Sequence, residues 1–234
     1  MKIFLLIIWI PLSILLILSC THLAKNQDPP DISLIPMYGG IDKTPQQKEA
    51  DEQFIQTIVS HDGSREEGAK NVAKLGWTFL KQGDPKTAMK RFNQVWLLDL
   101  SNPESYWGFA AIYNGTGQYD KAISMAEKAF EIDNNNCRLI CDLAFTYGNK
   151  ANSIKINSDE KIQYFQKAIS LYKRGLVINS KEPCLYHHWA ITLYQKGDYA
   201  ESWEKVIESE ELGFAFSQKF LQDLEKMMAR PTSN

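Results

Sequence analysis

Three of the four cysteines and a histidine pair are the residues whose types and spacing are suited to chemistry. Cys137 and Cys141 are four residues apart, and the stretch CLYHH places His187 three residues after Cys184. Thiolate and imidazole are preferred Zn²⁺ ligands, so these residues are candidates for a metal site, although the spacing of a structural zinc finger is absent. A disulfide and a set of buried, unreactive thiols are the alternatives. We expect the last, with no metal and no cofactor.

The sequence carries no standard catalytic motif. It lacks G-x-S-x-G, H-E-x-x-H, a phosphate-binding glycine loop and a dinucleotide fingerprint. Its 26 basic and 28 acidic residues give a net charge of −2, whereas a nucleic-acid binder normally carries a basic face. A hydrophobic content of 44% is sufficient for a core. We therefore predict a folded, non-enzymatic protein that does not bind nucleic acid.

The first twenty residues predict a targeting segment. Lys2 precedes a long apolar run that ends in ILSC, and this ending resembles the lipobox of bacterial lipoproteins. The resemblance implies a signal peptide over residues 1–19 and lipidation of Cys20 with diacylglycerol and an acyl chain such as palmitate. Thr21 then favours the outer membrane, facing the periplasm, by the sorting rule of that family. An uncleaved anchor and an ordinary secretory signal are alternatives.

Residues 20–41 are predicted to be a flexible tether, because they contain Pro29, Pro30 and Pro36 and show no periodicity. The segment ISLIPMYGG within them is more apolar than a tether requires, so docking onto the folded part is the alternative. The ordered region begins near Thr44, which predicts a helix with a capping box to Gln47.

Small and aromatic residues then recur every 34 positions. The recurring set is Leu75, Gly76, Phe79, Gly83, Ala88 and Phe92, which return as Phe109, Ala110, Tyr113, Gly117, Ala122 and Ala126. A third unit starts on schedule at Leu143, but about twelve extra residues around GNKANSIKINSDE delay its second half. This period and these small residues resemble tetratricopeptide repeats. The extra residues either lengthen both helices of that unit or form a protruding loop.

The resemblance implies an all-α fold, a right-handed α-solenoid of about four helix pairs over residues 42–230. The implied repeats are 69–102, 103–136, 137–182 and 183–213, with an N-terminal capping helix and a C-terminal one at 214–229. Cys141 and Cys184 would then lie on neighbouring first helices, so the resemblance implies that they could form a disulfide, or a metal site together with His187. Those first helices would also turn one stripe toward a concave groove: Lys70, Trp77, Lys81, Trp107, Asn114, Arg138, Phe145, Asn149, His187, Ile191 and Tyr194.

Aromatic residues interleaved with single charges and amides suit an extended peptide or a helix. We therefore predict a scaffold or adaptor, anchored to the membrane of the cell envelope through Cys20, that binds another protein or peptide in this groove. One alternative is that Trp77 and Trp107 only pack on the terminal segments. Others are a self-assembling structural lipoprotein and a metal- or redox-active protein that uses Cys141, Cys184 and His187. The sequence does not predict the oligomeric state.

Overall fold

The computed structural model describes residues 31–155 and 158–231, and every regular element in them is helical. Two short 3₁₀ segments, Ile32–Leu34 and Pro36–Gly40, precede ten α-helices. These are α1 Pro45–Asp62, α2 Arg65–Lys81, α3 Pro85–Leu98, α4 Pro103–Gly115, α5 Tyr119–Ile132, α6 Cys137–Ser153, α7 Asp159–Ile178, α8 Pro183–Lys196, α9 Tyr199–Glu211 and α10 Gln218–Met227. The predicted signal peptide and Cys20 lie outside the described residues. No helix within the described ranges has the length and apolar character needed to cross a bilayer.

Helices α2 to α9 form four consecutive pairs, and each pair packs on the next. The turn inside three of these pairs ends at a glycine with positive φ, namely Gly83, Gly117 and Gly197. The first helices, α2, α4, α6 and α8, also contact one another in order. We call the surface that they share the inner wall, which is the concave side in solenoids of this kind. The predicted α-solenoid of helix pairs is confirmed.

A helix covers the open apolar face at each end of the stack. At the first end, α1 begins with the predicted capping box between Thr44 and Gln47, and its Ile55 is buried against α2. At the other end, Phe216 and Leu224 pack with Trp203 of α9. A solenoid needs such caps because its terminal units would otherwise expose the face that neighbours cover elsewhere.

The extra residues of the third unit lengthen both of its helices. Helix α6 has 17 residues and α7 has 20, whereas the corresponding helices α4 and α5 have 13 and 14. Helix α6 ends at Ser153 and α7 begins at Asp159. The insertion therefore extends the pair as helix and leaves a short connection, which is the first of the two alternatives considered from the sequence.

The end of the predicted tether is held against α3. The fully buried Asn93 side chain donates to the carbonyl oxygens of Ser33 at 2.8 Å and Ile35 at 2.9 Å, and it accepts from the backbone N–H of Tyr38 at 3.4 Å. Pro36 is buried in the same segment. The prediction of a free tether over residues 20–41 is therefore wrong for 32–40, because these apolar residues gain more from packing than from solvation.

Phe92 of α3 fills the space between the first and second pairs. Its ring is fully buried and lies edge-on to Phe109, with 6.5 Å between centroids. A Cβ atom built on Gly108 would lie 2.3 Å from this ring, and one on Gly76 would lie 2.8 Å from it. The two glycines thus admit a large ring where helices cross, and Gly76 is one of the small residues that recur in the repeat.

We expect Gly108→Ala to lower the free energy of unfolding by about 1–2 kcal/mol, because the strain of overpacking against Phe92 exceeds the gain in helix propensity. The matched control is Gly115→Ala at the end of the same helix, where an added Cβ meets nothing within 4 Å. That variant should be neutral or slightly more stable. Urea denaturation of both proteins checks the difference, and equal midpoints would contradict the expected clash with Phe92.

Candidate functional site

Two tryptophans lie side by side on the inner wall. Trp77 of α2 and Trp107 of α4 meet edge to face, with ring centroids 4.9 Å apart. The indole N–H of Trp77 donates to Glu104 at 2.6 Å, and that of Trp107 donates to Asp142 of α6 at 2.8 Å. Both rings are only partly buried. Because the polar edges are satisfied within the protein, the exposed parts of the rings offer apolar contact area in fixed positions.

Asp142 belongs to a cluster of side chains between α6 and α8. The Oδ1 atom of Asp142 lies 3.7 Å from Nδ1 of His188, and the Sγ atom of Cys141 lies 3.3 Å from the same nitrogen. Phe145 stacks on the His188 ring with 4.3 Å between centroids and 18° between planes. Cys141 is fully buried, whereas His188 keeps some exposure toward the groove. We call Cys141, Asp142 and His188 the inner cluster.

Side-chain amides cross the inner wall near the other end of these helices. Asn149 of α6 donates to Asn114 of α4 at 3.2 Å, and Gln195 of α8 donates to Asn149 at 3.2 Å. Each amide has two donor hydrogens and an acceptor oxygen, so Asn114 and Asn149, which are half-buried, keep further hydrogen-bonding capacity. An amide row of this kind is suited to the N–H and C=O groups of a peptide backbone.

Burial controls the electrostatics of the inner wall. It raises the pKa of Asp142 to about 6, although the bond from Trp107 acts in the opposite direction, and it raises the pKa of Glu104. Burial, assisted by the nearby His187, lowers the pKa of His188 to about 3. Burial and the neighbouring Cys184 thiol raise the pKa of Cys141. At neutral pH the cluster therefore combines a neutral imidazole, a protonated thiol and a carboxylate that is largely ionised.

The predicted stripe divides into three groups. Trp77, Trp107, Asn114, Phe145 and Asn149 all take part in the contacts just described. The charged members, Lys70, Lys81 and Arg138, are exposed. Lys70 pairs with Glu66 and Glu67 on its own helix, and Arg138 pairs with Glu182 at 3.5 Å. The third group is His187, Ile191 and Tyr194.

The C-terminal cap covers that third group. The His187 ring stacks on Phe216 at 4.4 Å and meets Phe214 at 4.9 Å. Tyr194 contacts Phe220 of α10 at 5.5 Å, and Ile191 packs against the same cluster. These residues therefore pack on the C-terminal cap and stay half-buried, because α10 and the residues before it use the last unit's inner face. Their part in a groove stays a prediction.

The metal site considered from the sequence used His187, but the neighbouring His188 is the histidine that lies beside Cys141. His187 faces the C-terminal cap. Cys137, Cys141 and Cys184 are all free thiols, so the disulfide considered from the sequence is not formed. Spacing alone could not have chosen between them. The 34-residue period plus the twelve inserted residues separates Asp142 from His188, and it equally separates Cys141 from His187.

A second concavity of about 660 Å³ lies between α5, α6 and α7, away from the inner wall. Three of its polar side chains, Glu127, Tyr147 and Lys167, contact one another. The Tyr147 hydroxyl donates to Glu127, and Lys167 lies over the Tyr147 ring at 5.2 Å. Tyr164 stacks beside the same ring at 6.0 Å. Because these interactions are internal and the concavity is open, the inner wall is the better candidate site.

Comparison with known proteins agrees with this architecture. Residues 103–136 match the family model described as tetratricopeptide repeat. A thermophilic tetratricopeptide-repeat protein of Thermus thermophilus is 15% identical, with 69% of this chain and 84% of that chain covered and a TM-score of 0.61. MamA is 16% identical, with 78% and 99% covered and a TM-score of 0.46. Identities this low show the fold alone, and the second score supports no further conclusion.

The comparisons show one tetratricopeptide repeat, at residues 103–136, and a fold like that of a tetratricopeptide-repeat protein. Domains of this type generally bind protein partners and generally act as non-enzymatic scaffolds, and no catalytic family is indicated. The chain is therefore a candidate protein-interaction scaffold.

Proposed function

We propose that this chain is a lipid-anchored, non-enzymatic scaffold of the bacterial cell envelope that binds a protein or peptide along its inner wall. The Trp77–Trp107 pair is the observation that carries the proposal. Partly exposed tryptophans held rigidly by neighbouring side chains are typical anchors of a protein interface, because they bury a large area at a small cost in conformational entropy.

The neighbouring groups favour an extended apolar peptide as the ligand. Phe145 continues the aromatic surface beyond the tryptophan pair, and the amides of Asn114 and Asn149 lie in position to bond a peptide backbone. The carboxylates near the tryptophans, Glu104 and Asp142, favour a basic rather than an acidic residue in the bound segment.

The anchoring part of the proposal is supported by the resemblance of ILSC to a lipobox. A lipidated Cys20 would hold the scaffold at the membrane, and Thr21 favours the outer membrane facing the periplasm. Several acyl chains on one residue bind a bilayer far more firmly than one chain does. Metabolic labelling with a clickable palmitate analogue tests this. Label that is incorporated and then lost in Cys20→Ser supports the anchor, and label retained in Cys20→Ser opposes it.

Photo-crosslinking in the native host tests the binding part. A photo-reactive residue replaces Ala111, which occupies the same repeat position as Trp77 and Phe145 on α4, so both tryptophans are kept. We expect one dominant envelope protein among the adducts. Its yield should fall at least about tenfold when Trp107→Ala is added, because removing an anchor residue of an interface typically weakens binding by that factor or more. The same probe at the exposed Lys128 on the outer helix α5 is the positional control.

Two results would contradict the scaffold. Adducts only with the chain's own residues or with copies of itself would mean that the inner wall has a structural occupant. Equal adducts from Ala111 and Lys128 would mean that capture reflects proximity at the membrane rather than binding in the groove. Circular dichroism of the Trp107→Ala protein ensures that a loss of adducts is not a loss of fold.

Self-assembly is the second candidate, because a row of exposed apolar residues marks the ends of the outer helices. Ile132, Ile178 and Leu212 share one repeat position and are 44%, 39% and 37% exposed, and Val177 beside them is 87% exposed. Such a row is suited to contact with another copy. Light scattering of the full chain in detergent tests this function. An oligomer that dissociates in Val177→Lys supports it, and a monomer opposes it.

A further inference from the structure

The inner cluster has the dimensions of a metal site. One ligand atom each from Cys141, Asp142 and His188 can be chosen so that all lie within 4.8 Å of one another. Two of these separations are 3.3 Å, from Sγ to Nδ1, and 3.7 Å, from Nδ1 to Oδ1. Ligands about 2.0–2.3 Å from a tetrahedral Zn²⁺ are about 3.3–3.8 Å apart. Two of the three separations are therefore those of a tetrahedral Zn²⁺ site, and the third is at most 4.8 Å.

The fold holds these three groups in place. Cys141 and Asp142 are consecutive on α6, and His188 lies on the neighbouring inner helix α8, so the site joins two repeats. Phe145 stacks on the imidazole and restricts its rotation. The Trp107 indole N–H donates to Oδ2 of Asp142, and Oδ1 is the oxygen that lies near His188. Metal-binding carboxylates are commonly oriented in this way by a hydrogen-bond donor that does not itself touch the metal.

The donor set favours Zn²⁺ among common cations. A thiolate excludes the hard ions Mg²⁺ and Ca²⁺, which take oxygen ligands, and a carboxylate is a poor ligand for Cu⁺, which takes thiolates and thioethers. One sulfur, one nitrogen and one oxygen suit Zn²⁺. The side chains of His188 and Asp142 are 23% and 39% exposed, so water can reach the site as a fourth ligand. On binding, Cys141 transfers its thiol proton to solvent as the metal–sulfur contact forms.

We infer that Cys141, Asp142 and His188 bind one Zn²⁺ between the third and fourth helix pairs. The site is distinct from the trio considered from the sequence, because it uses the other histidine and a carboxylate that was not among the candidates from the sequence. It would also replace the expectation of a protein without metal. The ion would cross-link two repeats at the floor of the inner wall, with Trp107 as the link to the proposed peptide surface.

Titration of the reduced, chelator-treated full chain in detergent tests this inference. Co²⁺, the spectroscopic substitute for Zn²⁺, should bind at one equivalent per chain with a thiolate charge-transfer band and the intense visible bands of tetrahedral coordination. Added Zn²⁺ should abolish these bands. His188→Gln should weaken binding by more than about 100-fold, since changes to the hydrogen-bond partners of metal ligands alone cost about 10–100-fold. Trp107→Phe should weaken it by about tenfold, because it removes such a partner from Asp142.

His187→Gln is the matched control, because it removes the adjacent histidine of the same helix, which faces the C-terminal cap. This variant should bind Co²⁺ as the unmodified chain does. Absence of a thiolate band, or equal affinity in the His187→Gln and His188→Gln proteins, would overturn the inference. Circular dichroism of each variant separates lost ligands from lost structure. The titration uses no partner protein, so its result is independent of the proposed scaffold function.

Discussion

Replacing Phe92 by alanine is expected to lower the free energy of unfolding by about 3–5 kcal/mol. The ring is fully buried between the first two helix pairs, and it contacts Phe109 and Trp77. Gly76 and Gly108 have no side chain to refill the space, and both lie on helices whose backbones are held by further packing. The cavity would therefore stay largely open, which places the cost at the upper end of the range for large-to-small substitutions.

Chemical denaturation followed by circular dichroism measures this effect. The matched control is Phe214→Ala, since Phe214 is 43% exposed and lies outside the helices. The free energy of unfolding of that variant should fall by less than about 1.5 kcal/mol, which is the contribution of an aromatic contact. Similar losses in both proteins would show that Phe92 is not the central contact between the first two pairs. Because Trp77 packs on this ring, the Phe92→Ala variant should also weaken partner capture in the crosslinking experiment.

Replacing Asn93 by alanine should release residues 32–40 and lower the free energy of unfolding by about 2–3 kcal/mol, because three hydrogen bonds of about 1 kcal/mol each are lost. These bonds hold the carbonyls of Ser33 and Ile35 and the N–H of Tyr38. Met37 and Tyr38 have φ of 56° and 54°, a backbone region that residues other than glycine rarely occupy. Without the amide, the segment loses the contacts that maintain this conformation.

Limited proteolysis combined with mass spectrometry tests the release. We expect new cleavage within 32–40 in Asn93→Ala and an intact segment in Gln94→Ala, the neighbouring position, whose amide accepts from Arg91 instead. Protection of the segment in Asn93→Ala would mean that apolar packing alone is sufficient to hold it. Release would lengthen the connection between the predicted anchor at Cys20 and the solenoid, so the reach of the scaffold from the membrane would increase.

Local signals in the sequence were sufficient for the helices and their stacking. Thr44 and Gln47 predicted the capping box that begins α1, and the recurring Gly83 and Gly117 lie in the turns inside the pairs. These features depend on the residue and its near neighbours, so they are readable without tertiary structure. The 34-residue period then predicted which face of each helix packs on its neighbours, because the same position recurs in the same environment.

The repeat also placed Trp77, Trp107 and Phe145 correctly on the inner wall, and their role in binding a partner stays a prediction. The repeat did not predict that His187 and Tyr194 pack on the C-terminal cap. Periodicity assumes that each unit has the same neighbours, and the last unit has α10 in place of another pair. A terminal unit therefore cannot be interpreted from the period alone.

The sequence by itself determined the helices, their register and the small residues at their crossings, because each of these follows from local propensity and a repeated pattern. Tertiary structure decided that ISLIPMYGG docks on Asn93, that the insertion lengthens α6 and α7, and that His188 rather than His187 meets Cys141 and Asp142. These outcomes depend on contacts between residues as many as 60 positions apart in the chain, such as Ser33 and Asn93. The energies of such contacts exist only once the helices are packed.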